Sequence, residues 1–312
     1  MTAYAIEDFG VSKDGEAVQR VRLEEGGLTA HVITWGAVLQ DLRLEGHDAP
    51  LVCGFDTFQP YPEHSPHFGA TPGRVANRIG NARFTLDGTE HHLDANKGAH
   101  ILHGGANGFS HRVWTIADVG HAHVDLHLVD PDGTAGFPGT VEATCSYTLK
   151  AGGVLHIALT TRTDAPTITN LTHHSYFDLE GNGDIRDHIV TIHADAVLPV
   201  DADFIPTGPP VPVADTGRDF RKPRTIADAL AQLEEDGAGV LDHNWCLADH
   251  QRGLQDVATV TAPTSGVAMT LATTEPGVQF YAGHKVTTPV AGLSGTPYGA
   301  FAGLCLEPQI WP

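Results

Sequence analysis

Positive charge is scarce in this chain: 18 lysines and arginines face 38 aspartates and glutamates, a net charge of −20 over 312 residues. No basic block is present that could track a phosphate backbone, so neither nucleic acid nor an anionic membrane surface is an expected partner. Long apolar runs are also missing. None approaches the ~18 residues of a membrane helix, and the opening MTAYAIEDFGVSKDG has neither the basic n-region nor the apolar h-region of a signal peptide. The expectation is a soluble, cytoplasmic protein. Cysteine is limited to Cys53, Cys145, Cys246 and Cys305, set in apolar segments without CxxC spacing, which predicts buried free thiols and no disulfide framework. HExxH and GxSxG are absent, and none of the 20 histidines stands beside spaced cysteines, so neither a metal nor a serine nucleophile is expected.

What the chain does have is turn punctuation and alternation. It carries 35 glycines and 20 prolines with 41% hydrophobic residues, a balance that favours β structure over a helical bundle. Period-2 patterns recur: Val124, Leu126 and Leu128 in HAHVDLHLV; Leu155, Ile157 and Leu159 in VLHIALT; Val267, Met269 and Leu271 in VAMTLATT. QRVRLE, LTAHVITW, AVLQDLRL, RVWTIADV, TVEATCSYTL, HIVTIHADAVLPV, VATVTAP and VQFYAG add further strands, with DG turns at 87–88 and 132–133. TIADALAQLEED is the clear helix, because Ile226, Leu230 and Leu233 recur at i, i+4 and i+7 after Pro223. Helices do not alternate with strands, and no glycine-rich loop joins a strand to a helix, which argues against a doubly wound nucleotide-binding fold. With no repeat or linker in view, residues 1–312 read as one domain.

Five polar clusters interrupt or end apolar segments: GRVANRIGNARF (73–84), ILHGG (101–105), THHSYFDL (172–179), LDHNWCL (241–247) and LCLEPQIWP (304–312). Each has a plain structural explanation when taken singly. His103 beside two glycines suits a turn histidine bonded to backbone, Asn77 and Arg78 suit a loop anchor, and Asp242 suits an Asx turn. Glu307 is harder to set aside. Leu304 and Leu306 mark one face of its strand and Cys305 and Glu307 the other, so its carboxylate meets a desolvation that raises the pKa unless a donor compensates. A general base is tuned in this way, although a structural pair with an arginine such as Arg78 is the alternative. The adjacent His173 and His174 carry the side chain that titrates nearest neutral pH and are candidate proton carriers at what reads as a strand end.

In this order, the clusters resemble the aldose 1-epimerase (galactose mutarotase) family. The similarity runs from HFGATPGRVANRIGNARFTLDG through LHGGANGFSHRVW, NLTHHSYFDLEG, PVDADFIPTG, DHNWCL and TTEPGVQFYAG to LCLEPQIWP, and covers most of the chain. It implies an all-β fold, a large antiparallel β-sandwich (supersandwich) with one or two short helices, and interconversion of the α and β anomers of a free aldose without cofactor or metal. By correspondence, Glu307 is the general base, His174 the general acid and His103 a second active-site histidine, with Asn77, Arg78, Asp242 and Gln279 binding sugar hydroxyls. His173 is then a supporting residue. Gln279 and Phe280 point to opposite faces of a strand, which leaves the role of Phe280 open.

Some positions depart from the family pattern. Glu275 stands where Gln is usual in TTQPG, and Asp178 where Asn is common in SYFNL, both adding negative charge. The family also implies a further ~30 residues supplying a closing strand beyond Pro312, where an edge would otherwise be left open. Three rival functions share parts of the reading: a sugar-phosphate epimerase, a glycoside hydrolase using Asp242 and Glu307 as a carboxylate pair, and a sugar sensor without catalysis. The residues do not choose among galactose, glucose, xylose and arabinose, nor do they fix an oligomeric state.

Overall fold

The computed structural model describes residues 5–312, so Met1 to Tyr4 of the opening stretch lie outside the described residues. Strands dominate, and the described residues contain two α-helices, Pro60–His64 and Ile226–Glu235, neither long and apolar enough to cross a membrane. Every strand ladder among the described residues is antiparallel. The chain divides into two compact units: residues up to Asp48 with Gly54–His174, and Ala49–Cys53 with Ser175–Pro312.

The first unit holds two four-stranded sheets. One is a meander of Ile6–Val11, Ala17–Glu25, Leu28–Ile33 and Val38–Leu44; the other runs Val154–Thr163, Val141–Lys150, His123–Asp130 and Thr115–Val119. Alternation fixes which face goes inward, because a pleated strand sends successive side chains to opposite sides. Val124, Leu126 and Leu128 are buried opposite Tyr147, Cys145 and Ala143. Each fully buried aliphatic side chain of this kind contributes about 1.5–3 kcal/mol. The partner alternation in Val154–Thr163 is weaker: Leu155, Ile157 and Leu159 are only half-buried, since that strand lies at the sheet edge. The DG turn at 87–88 joins Arg83–Leu86 to Thr89–His92 with both residues at positive φ (49° and 81°), the geometry of a type I′ hairpin.

The second unit holds a four-stranded sheet (Arg224–Thr225, Ile189–Ile192, Gln255–Thr261, Ala268–Thr273) and a five-stranded one (Val211–Pro212, Ala196–Val197, Asp242–Cys246, Gly277–Tyr281, Cys305–Gln309). The run HIVTIHADAVLPV, which reads as one strand, supplies a strand to each sheet. Its break at His193–Asp195 lets Asp195 O accept from Val213 N, and alternation cannot register such a change of sheet. Helix Ile226–Glu235 starts where Thr225 Oγ1 accepts from Asp228 N (3.1 Å), an N-cap that the sequence TIAD provides. Ile226 and Leu233 are buried, whereas Leu230 is half-buried and Ala229 takes its place inside. The five-residue helix Pro60–His64 was not legible because it buries only Tyr61 and is too short to show a period. All four cysteines are free. Cys53, Cys145 and Cys305 are buried as expected, but Cys246, at a strand end, is half-buried.

Candidate active site

In the first unit the polar clusters of the sequence converge on loops rather than strands. Arg78–Ile79 pairs with Ile101–Leu102, and just beyond this short ladder His103 N donates to Asn77 O (2.9 Å) while Asn77 N donates to His103 Nδ1 (3.1 Å). A ring nitrogen that accepts carries no proton, so neutral His103 holds its hydrogen on Nε2. Asn77 and His103 both occupy the left-handed region, at φ 59° and 51°. The neighbouring glycine is forced: a Cβ on Gly104 would lie 1.9 Å from Gly73 O. Arg78 Nη1 donates to Asn77 Oδ1 (3.2 Å), so these two expected binding residues are oriented together.

His174 does not end a regular strand, contrary to the pattern around it. It forms an isolated bridge with Ala70, in which Gly69 N donates to His174 O (3.0 Å) and His174 N donates to Ala70 O (2.9 Å). Its ring lies 5.3 Å, edge to face, from His103 and 5.7 Å from His67, which itself touches His103 (4.8 Å) and His111 (5.1 Å). Neither His67 nor His111 was singled out in the sequence, although both lie in family-like stretches, since a single histidine in SPHFG or FSHRV shows no periodicity. Burial disfavours the charged imidazoles. It pushes His174 down to about 4, and it pushes His103 well below the usual range, helped by His67, His174 and Arg78. His173 turns the other way: its Nδ1 lies 3.3 Å from Tyr147 Oη, whose proton is committed to Ala37 O (2.6 Å), so the imidazole is the donor. Burial, then His174, lowers His173 to about 3.

Arg74, in the same GRVANR run as Asn77 and Arg78, has a different use. Its guanidinium is 1% exposed and pairs with Asp130 (2.6 Å), donating also to the carbonyls of Pro138 and Gly139 (2.8 and 2.9 Å). Arg112 reaches the other Asp130 oxygen at 2.7 Å. This cation is spent on holding the first unit together.

The second unit builds its polar groups on regular strands. Asp242–Cys246, Gly277–Tyr281 and Cys305–Gln309 are adjacent, with Asn244 opposite Gln279 and Gln279 opposite Glu307. By the pleat, Asp242, Asn244, Gln279, Tyr281, Glu307 and Gln309 share one face. The opposite face is mainly apolar, with His243 beside Phe280: Trp245 and Phe280 pack on Phe220 at ring distances of 6.0 and 5.4 Å, which gives Phe280 a core role. The polar face is nevertheless inside, with Glu307, Gln279 and Asn244 exposed by only 2%, 5% and 1%. Gln279 Nε2 donates to Asp242 Oδ1 at 2.7 Å, which orients both side chains. Tyr176, buried and edge-on to Tyr281 at 6.0 Å, adds a phenol that sequence reasoning did not single out. Burial pushes its pKa up, and the Cys305, Tyr281, Glu307 and Asp242 groups push it further.

The two acidic departures are absorbed by loops. Asp178 accepts from the backbone N–H groups of Glu180, Gly181 and Gly183 at 3.1, 3.0 and 2.7 Å. Glu275 accepts from Gln251 Nε2 at 2.9 and 3.0 Å.

The sequence matches the aldose 1-epimerase family over residues 19–312. It is 41% identical to the galactose mutarotase of Rattus norvegicus over 303 residues, covering 96% of this chain and 87% of that one. It is 34% identical to the aldose 1-epimerase of Haemophilus influenzae over 308 residues, covering 96% and 88%. Among solved structures, a GalM/aldose epimerase homologue from C. elegans superposes with a TM-score of 0.85 at 29% identity over 95% of this chain and 90% of that one. Together with the strand-rich, antiparallel fold of the β-sandwich type, these likenesses establish that this chain belongs to the aldose 1-epimerase family.

Proposed function

We propose that this protein interconverts the α and β anomers of a free aldose monosaccharide by acid–base ring opening and reclosure. Glu307 takes the proton of the C1 hydroxyl while His174 gives one to the ring oxygen. The C1 to O5 bond breaks, leaving an open-chain aldehyde. Rotation about C1 to C2 turns the other carbonyl face forward, and the reverse transfers close the ring as the other anomer. Proton and electron counts balance within the sugar and the two side chains, so the step draws on no redox partner or metal. His103, with its hydrogen on Nε2, and the Arg78 guanidinium act on charge that develops at oxygen. Asn77, Asp242 and Gln279 hold hydroxyls and set orientation.

The observation that carries this reading is the buried carboxylate of Glu307 on a largely polar strand face, in one row with Gln279 and Asn244. A carboxylate there contributes little to packing and is suited to moving a proton. The commitment of Arg74 to Asp130 weighs against a sugar-phosphate substrate, which would call for a spare cation. The single-domain reading of residues 1–312 belongs to the same proposal. So does a cytoplasmic location, in keeping with four free thiols.

Burial, which lowers His174 to about 4, makes its protonated form a strong donor toward a weakly basic ring oxygen, with a small protonated fraction at neutral pH. The pH profile of kcat/KM should be bell-shaped, its alkaline limb below the ~6.5 of an ordinary histidine. The test is polarimetry of freshly dissolved α-D-galactose, α-D-glucose, α-D-xylose and α-D-arabinose against the spontaneous rate. Acceleration ranks the sugars. A folded protein that accelerates none of them overturns the proposal and leaves a sugar sensor.

A further inference from the structure

His67 belongs to none of the roles above, yet it sits at the centre of the histidine cluster. Its ring is nearly parallel to that of His174 (22° between planes, centroids 5.7 Å apart) and meets His103 and His111 edge-on at 4.8 and 5.1 Å. Its backbone is held at φ 70°, a left-handed conformation unfavourable for a residue with a Cβ. The turn that imposes it is closed by Ala70 N donating to His67 O (3.1 Å) and is locked to His174 by the Ala70–His174 bridge. Gly69 within it is required, since a Cβ there would lie 2.1 Å from Leu39 O. Backbone strain, a glycine-only close approach and the bridge thus converge on the placement of one imidazole ring against another. Buried His67 Nδ1 has no hydrogen-bond partner among the described residues, so the contact rests on the ring face rather than on that nitrogen.

We propose that His67 is a positioning residue for His174, a neutral aromatic platform on which the His174 ring rests while it holds and releases its proton. The inference rests on the acid role proposed for His174. An imidazolium is attracted to the π face of a neutral ring, whereas a second charge there would repel it. His67 is kept neutral: burial first, then His174 and His111, hold it well below the usual histidine range. His174, His103 and His111 face His67, with Arg78 acting on His103 and Lys13 on His111. The platform therefore favours protonation of His174 over that of its neighbours.

The test compares His67→Leu, which removes the π face, with His67→Phe, which keeps it, using the intact chain. Two readouts are taken: kcat and KM for anomer exchange, and the ring titration of His174 by NMR in the absence of sugar, assigned with His174→Ala. His67→Leu should lower kcat about five- to tenfold with KM within about twofold, and move the His174 midpoint to lower pH. His67→Phe should recover kcat to within about threefold of wild type and return the midpoint. A Leu variant with unchanged kcat and midpoint overturns the platform, as does a folded Phe variant as impaired as Leu. If His67→Leu does not fold, the Phe variant alone decides on the same two readouts. The titration needs no sugar, so it separates the two claims. An inactive wild type whose His174 midpoint still shifts in His67→Leu overturns the function but supports the ring contact.

Discussion

Glu307, Gln279 and Asn244 stand side by side on three regular strands, whereas His103, His174 and Asn77 stand on loops held by left-handed residues and close-packed glycines. The strand set gets its geometry from a ladder: once register is fixed, the pleat places every second residue on one face, and a buried polar row follows. The loop set has no such repeat. Its residues are placed by individual bonds, such as Asn77 N to His103 Nδ1 and Gly69 N to His174 O, each depending on a backbone conformation that few residues tolerate. Rigid strands suit a base that must stay put in a dry row. A loop cluster of imidazoles suits an acid whose proton affinity is set by its neighbours.

The largest expected effect sharpens the strand side of this contrast. Glu307→Gln keeps the shape and the buried row but removes the proposed base, so kcat should fall by about 10²- to 10⁴-fold with an unchanged melting curve. Loss of folding with residual activity per folded molecule intact would instead make the carboxylate structural. Next comes the loop side, where Arg74→Met strips Asp130 of its buried partner and should cost about 3–5 kcal/mol of stability by urea titration. A variant as stable as wild type would mean that Arg112 alone suffices to hold Asp130.

The strand row was legible because its signal is local. Leu304 and Leu306 against Cys305 and Glu307 give the alternation directly, and the same rule separates Gln279 from Phe280, whose core packing the structure then shows. The loop cluster was legible only in part. His103 and His174 stood out beside glycines and as one of a pair, while His67 and His111 come together through turns at 67–70 and 108–111 that no spacing rule encodes. Changes of sheet are equally invisible, which is why HIVTIHADAVLPV reads as a single strand. Asp178 and Glu275 read as charge near the site because sequence does not show that backbone N–H groups and Gln251 already satisfy them.

A smaller effect follows from pH. His173 and His174 have folded-state pKa values of about 3 and 4, below the ~6.5 of the unfolded chain. The unfolded state therefore binds more protons on acidification. Stability from these groups is complete above pH 6.5 and is lost as pH falls toward 4 and then 3. The urea midpoint should drop over that window, and His173→Gln should flatten the drop; a midpoint independent of pH from 7 to 4 would contradict the buried neutral cluster. Smallest of all is Glu275→Gln, a half-buried loop change that keeps a side-chain acceptor for Gln251 and is expected to move stability by no more than about 0.5 kcal/mol and kcat by less than about twofold. A large loss of kcat would place Glu275 in the chemistry after all.

Glu307 and His174 are proposed to serve one proton-transfer step as base and acid, and a double-mutant cycle measures whether they do. Polarimetric kcat would be measured for wild type, Glu307→Gln, His174→Ala and the double variant on the preferred sugar. The double variant should be about as slow as the slower single one, because groups acting as a unit are non-additive. Losses that multiply would contradict it, showing two groups that act independently.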